Sequence, residues 1–118
     1  SWGATLLETL SAADRLSEDG VEAEVIDVAT LKPIDHATIL ESVSRTGRCL
    51  IVHEAPGAVG VGAEIAARLA EEGLDRLLAP IERVTGWDTI VPLPRLESCY
   101  APTETRILAA ARRVLAYA

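Results

Sequence analysis

Residues Leu50 to Ile65 read Leu-Ile-Val-His-Glu-Ala-Pro-Gly-Ala-Val-Gly-Val-Gly-Ala-Glu-Ile: an apolar run, two polar residues, then a glycine-rich turn that opens into a helical pattern. A short continuous apolar run reads as a strand covered on both faces, and a strand that leads through a tight turn into a helix returns to its sheet by a crossover. The segment therefore commits the chain to a parallel α/β sheet covered by helices. The carboxyl end of such a strand is where this architecture delivers side chains to a cleft or an interface.

The flanking sequence repeats the alternation. Thr5-Leu-Leu-Glu8 has the spacing of a capping box, so a helix is expected over Thr5–Glu18, burying Leu6, Leu10 and Ala13 and stopping at Gly20. Ala23–Val28 is short and rich in Val and Ile, and reads as a strand. Pro33 interrupts regular structure, and Asp35 is placed to cap a helix that buries Ile39, Leu40 and Val43 and ends at Gly47. A strand over Arg48–Glu54, a helix over Gly62–Glu72 with Ile65, Ala66 and Leu69 inward, and a short strand at Ile81–Thr85 follow. From Gly86 to Pro102 three prolines and no helical period predict a surface loop, the kind of segment that carries function in a compact domain. The last helix starts at Pro102, with Ile107, Leu108, Ala111, Val114 and Leu115 as its buried stripe.

The expected fold is thus a three-layer α/β/α domain over residues 1–118, with a small, mainly parallel sheet and one antiparallel edge strand. Ser1–Ala4 runs straight into a helix, whereas every later helix follows a strand or an extended segment. Residues before Ser1 are therefore expected to start another strand, which makes the chain a fragment of something longer.

Composition excludes several classes of function. The net charge is −7 with no run of Lys or Arg, so the electrostatic footprint of a nucleic-acid surface is missing. A partner steered by that field would be basic, although such a charge also serves solubility. Phe and Met are absent and the aromatics are Trp2, Trp87, Tyr100 and Tyr117, which leaves few rings to stack a base or a flavin. Cys49 and Cys99 are far apart and outside any C-x-x-C pattern, so neither zinc nor a redox pair is signalled. No apolar stretch is long enough to span a bilayer, and a reducing cytoplasm is the expected compartment.

Two motifs invite chemistry. Gly57-x-x-Gly60-x-Gly62 is not the dinucleotide fingerprint G-x-G-x-x-G, because Ile65 stands where the third glycine would be. What remains is a tight turn that lets a helix pack or dock, or leaves helix amides open to an anion. His53 and Glu54 could act as general acid and base, but neighbours on a strand point to opposite faces, and no nucleophile accompanies them. No catalytic residue is assigned, and His53 is expected to be a hydrogen-bonded structural or interface histidine. Glu71, Glu72 and Asp75 gather at a helix carboxyl end, where the dipole disfavours them; they are either solvated charges or an acidic docking patch.

In order along the chain stand Glu24-Val-Ile-Asp27, Leu31-Lys-Pro-Ile-Asp35, Val52-His-Glu-Ala-Pro56, Gly60-Val-Gly-Ala-Glu-Ile65, Ala79-Pro80, Arg83-Val-Thr-Gly86 with Asp88-Thr89, and Tyr100-Ala-Pro102. With these segments the sequence resembles the C-terminal domain of the beta subunit of thiamine-diphosphate-dependent 2-oxoacid dehydrogenases, in the transketolase C-terminal-domain family. The resemblance implies an enzyme that decarboxylates a 2-oxoacid on thiamine diphosphate with magnesium and passes the acyl group to a lipoyl arm. It implies that this domain itself holds no cofactor and does no chemistry. Its implied partners are the alpha subunit, a second beta subunit, and the basic subunit-binding domain of the acyltransferase. His53, Glu54, Gly60, Gly62 and Glu64 become interface candidates. Glu71, Glu72, Asp75 and the terminal carboxylate of Ala118 become docking candidates, since Leu78 stands where the family often has an acidic residue. The His53–Pro56 segment looks more like branched-chain members than pyruvate members.

Two other readings stay open. The chain could be a free-standing α/β domain that binds an anionic ligand at Gly57–Gly62. It could also be the C-terminal domain of a transketolase or a deoxyxylulose-phosphate synthase, against which Arg83–Gly86 and Tyr100–Pro102 argue.

Overall fold

A computed structural model describes residues 1–117. Helix α1 spans Thr5–Glu18, α2 His36–Thr46, and α3 Val61–Gly73; a short α4 at Glu97–Tyr100 precedes α5 at Glu104–Ala116. Strands β1 (Leu50–Pro56) and β2 (Glu82–Gly86) pair in parallel, Leu50 opposite Glu82 and Val52 opposite Val84, with a register shift before Pro56 meets Gly86.

Alternation along β1 builds the three layers. Val52 points to one face, where it packs with Ala12 of α1, Val84 of β2, and Ile107 and Ala110 of α5. Ile51 points to the other and meets Ile39 and Val43 of α2 and Ile65 and Leu69 of α3. Each fully covered Val or Ile contributes about 1.5–3 kcal/mol, so both helix layers are held by the strand they sandwich.

The helix ends follow local chemistry. Asp35 accepts from the Thr38 amide at 3.1 Å and from its hydroxyl at 2.7 Å, as expected of a cap, and α2 stops at Gly47 in the left-handed region (φ 69°). Thr103 caps α5 by accepting from the Arg106 amide, so the helix begins at Glu104, two residues after the predicted start at Pro102.

Several expectations fail for reasons of packing. The Thr5–Glu8 capping box does not form: Thr5 is buried inside α1 and its hydroxyl donates to the Trp2 carbonyl, while Glu8 accepts from the Glu104 amide at the head of α5. Leu10 is exposed and Leu6 and Ala13 only half-buried, because α1 turns the stripe Thr5–Ala12–Leu16 toward β1 and α5. Leu115 is likewise exposed, with Ala110 taking an inward place on α5. Ala23–Val28 forms no strand: among the described residues its backbone bridges only to Ser1, too little for a ladder. No antiparallel edge strand is present among the described residues; the two strands that pair are parallel. The predicted loop carries a 3-10 turn at Pro94–Leu96 and the short α4. No helix among the described residues is long and apolar enough to cross a membrane.

Candidate functional site

The carboxyl end of β1 separates the two residues that sequence had placed side by side. His53 is fully buried and Glu54 exposed, so the pair shares no substrate atom. The His53 ring stacks on Trp2 with centroids 5.0 Å apart and planes 10° from parallel. Neither ring nitrogen finds a hydrogen-bond partner among the described residues, so the expected hydrogen-bonded histidine is instead a stacked one. Burial, with the Arg83 cation adding to it, holds its pKa below the ordinary histidine value, and the ring is kept neutral.

The glycines explain how such a ring fits. A Cβ on Gly60 would lie 2.9 Å from His53 Cε1, and one on Gly62 only 2.4 Å from Nε2 and 2.6 Å from Cδ2. The turn therefore brings the start of α3 onto the imidazole. Absence of side chains at Gly60 and Gly62 serves ring packing, and the space is filled by His53 where the alternative reading would need a ligand.

Beyond the turn the chain is held in an unusual pose. Val59 has φ 60°, a conformation that a β-branched residue adopts only under strain, and its side chain is 99% exposed. Its neighbour Ala58 donates its amide to Asp88 Oδ1 at 3.2 Å, and Arg83 Nη1 donates to the Gly57 carbonyl at 2.8 Å. These bonds tie the turn to the loop after β2.

That loop carries the largest run of exposed apolar side chains. Trp87, Ile90, Val91, Leu93 and Leu96 are all exposed, Ile90 at 91% and Leu93 at 82%. Arg106 of α5 fastens the loop's ends: its guanidinium lies 4.3 Å above the Trp87 ring, donates to the Thr85 carbonyl at 2.7 Å and to the Ala101 carbonyl at 3.2 Å. Trp87 Nε1 in turn donates to the Cys99 carbonyl at 3.0 Å. Sequence marked this loop as a carrier of function, with a short extended piece at Ile90-Val91 that forms no strand, but did not join these five side chains into one surface. Their signal was apolar residues with neither period 2 nor period 3.6 inside a proline-rich segment, a pattern that no buried element explains.

The remaining candidates scatter. Glu64 pairs with Arg68 at 3.4 Å on the exposed flank of α3, and the same guanidinium holds Glu72 at 3.1 Å. Glu71 and Asp75 are exposed and make no ion pair among the described residues. Leu78 is exposed, with its amide bound to the Gly47 carbonyl at 2.7 Å. Ala118 lies outside the described residues. His36 is half-buried at the first position of α2. Burial pushes the Cys49 thiol up to about 11, which keeps it protonated and unreactive. No three His, Cys, Asp or Glu side chains among the described residues gather so as to hold a metal ion.

Comparison with known proteins gives the arrangement its relatives. The family described as transketolase, C-terminal domain, matches residues 1–107. The pyruvate dehydrogenase E1 component subunit beta of Leifsonia xyli subsp. xyli is 44% identical over 117 residues, 99% of this chain and 35% of that protein. The protein of the same name from Bacillus subtilis is 39% identical over 117 residues, again 99% of this chain and 36% of its own length. A solved structure described as a split gene transketolase, inactive beta4 tetramer, superposes with a TM-score of 0.84 at 30% identity, covering 98% of this chain and 37% of that one. The chain thus spans little more than a third of the length of these relatives.

Proposed function

Given that this chain belongs to the transketolase C-terminal domain family, we propose that it is the assembly and partner-docking domain of a 2-oxoacid dehydrogenase beta subunit. The complete enzyme decarboxylates its 2-oxoacid on thiamine diphosphate and acylates a lipoyl group, which makes it an oxidoreductase component of a multienzyme complex. The 118-residue domain does none of that chemistry itself. The groups on this chain do not suit a magnesium diphosphate: its one buried imidazole faces tryptophan and glycine, and its carboxylates lie dispersed on the surface. The cofactor belongs to another part of the subunit pair.

One observation carries the reading. The Trp87–Leu96 loop and the Val59 tip present large apolar side chains to solvent while Arg106 and Asp88 hold both segments in place. A soluble domain that fixes an apolar surface in one shape gains by covering it, and an interface core is what such a surface becomes. The alpha subunit and a second beta subunit are the proteins to cover it, with Glu54, Gly60, Gly62 and Glu64 at or beside the contact and His53 supporting it from beneath. The related transketolase structure, a beta4 tetramer, supports pairing between such subunits.

Pyruvate is the 2-oxoacid that the names of the relatives support, and identity over 117 residues outweighs the likeness of the four-residue His53–Pro56 segment to branched-chain members. Exposed Glu71 and Asp75, with Glu72 partly neutralised, offer the acyltransferase's basic domain its contact. A cytoplasmic setting suits this reading.

Assembly is the test. Ile90→Asp with Leu93→Asp, made in the whole beta subunit and mixed with its alpha subunit, should reduce the sedimenting species to separate subunits while circular dichroism of the beta subunit stays unchanged. Sedimentation unaltered by both charges would remove the loop from the interface. Binding of the basic domain should weaken as salt rises past the point where charges are screened over about 8 Å, and Asp75→Lys should weaken it at every salt concentration.

A further inference from the structure

Among the described residues Val59 alone combines a positive φ with a side chain, and that side chain lies open to solvent. A β-branched residue is strained in the left-handed region, where glycine is not. The turn is fixed on both sides of it. Before Val59, Arg83 Nη1 donates to the Gly57 carbonyl at 2.8 Å and the Ala58 amide donates to Asp88 Oδ1 at 3.2 Å. After it, Gly60 sits on the His53 ring and opens α3, its carbonyl accepting from the Ala63 amide at 2.8 Å. Between these points the backbone takes the left-handed turn. Glycine would make that turn unstrained, and the valine packs against nothing in its own domain. The isopropyl group is thus held out against the preference of its backbone, which marks it as a group for another molecule.

We propose that Val59 anchors the subunit interface by entering an apolar pocket on a second copy of this chain, and that the unassembled domain carries the backbone strain needed to present it. This rests on the reading that the tip and the Trp87–Leu96 loop form a joining surface, and names the group that fixes the partner.

Asp88 belongs to the loop and holds the Val59 turn, so tip and loop are presented together. Weighted by their exposures, Val59, Trp87, Ile90, Val91, Leu93 and Leu96 offer roughly 800 Å² of residue surface, the amount each partner gives to a stable interface of standard size. The charges of this patch suit a copy of itself. Arg95 and Glu97 are exposed, two positions apart, and make no ion pair among the described residues, while Asp88 is already bound to the Ala58 amide. A two-fold axis brings the same patch together from both subunits, so Arg95 of one faces the acidic position of the other. The net charge of −7 repels copies at long range, but the patch itself is balanced and charges beyond about 8 Å are screened. Burial of one valine side chain tightens such an association roughly 10- to 100-fold.

Sedimentation of the whole beta subunit, with and without its alpha subunit, tests this in Val59→Gly and Val59→Ala variants. Both should weaken association between beta subunits roughly 10- to 100-fold. Thermal unfolding is read at concentrations too low for association, where Tm no longer depends on concentration. There Val59→Gly should melt at least as high as the parent, because relief of strain offsets the freedom that glycine adds to the unfolded chain. A Val59→Gly subunit that associates like the parent would overturn the proposal. So would one that melts clearly lower, since the valine would then serve its own fold. Weakened binding of the alpha subunit with beta–beta association intact would overturn it as well, because the pocket would lie on the other protein. Ile90→Asp with Leu93→Asp is run beside these variants. If that pair also leaves association unchanged, the joining surface itself fails; if it separates the subunits while Val59→Gly does not, only the anchor fails.

Discussion

Acidification should unfold this domain partly through one side chain. His53 is 0% exposed, stacked on Trp2, and has no hydrogen-bond partner for either nitrogen among the described residues, so a proton would place in a buried site a charge that the Ala55 backbone offsets only in part. Its pKa in the folded chain lies below the ordinary histidine value, by burial first and then by the Arg83 cation. The unfolded chain, whose histidine titrates at the ordinary value, therefore binds more protons than the folded one at pH below about 6.5. The stabilisation is complete above that pH and is lost as pH falls below it. One proton of difference gives a slope of up to about 1.4 kcal/mol per pH unit. For a domain of this size a loss of that amount lowers Tm by about 5 °C. Carboxylates bound to arginine, such as Glu82 on Arg113, lose stability with falling pH as well, so the control is a His53→Leu variant that removes only the imidazole. Urea unfolding of both proteins at pH 7.5 and 5.5 gives the comparison, in which the parent should lose about 1 kcal/mol more than the variant over that interval. Equal losses would refute a buried neutral His53.

Two further perturbations probe the same region. Gly62→Ala places a Cβ 2.4 Å from His53 Nε2 and should cost about 1–3 kcal/mol by overpacking; in the His53→Ala background the cost should largely vanish, and additivity of the two changes in urea melts would show that ring and glycine do not touch. Arg106→Ala removes the cation above Trp87 and the bonds to Thr85 and Ala101, and should cost about 2 kcal/mol and shift Trp87 fluorescence to the red; Arg106→Lys should restore little, because one ammonium cannot reach both carbonyls and the ring, and full rescue by lysine would show that charge alone holds the loop.

Much of this molecule was legible before any coordinates. Helix α1 has its expected bounds, Asp35 and Gly47 end α2 as their chemistry requires, and the alternation of Ile51 and Val52 already implied two helix layers. These are local facts, fixed by hydrogen-bonding groups a few residues apart and by the period of the apolar positions. The family, too, was readable from short segments in order. The candidate site was legible only as a place. Sequence marked His53 and the glycines as neighbours of consequence, but a one-dimensional string does not say that Gly62 returns over the His53 ring or that Trp2 closes it from the far side.

The sequence by itself determined which segments could be helix or strand and which charges were absent. Tertiary packing decided which face of α1 turned inward, leaving Leu10 outside and burying Thr5, because α5 and β1 meet that helix only along one stripe. It decided that Glu8 would serve another helix's amide instead of its own. It also decided that Ala23–Val28, a strand by composition, lacks a ladder: β-propensity becomes a strand only when a neighbour supplies the partner hydrogen bonds, and among the described residues only Ser1 does.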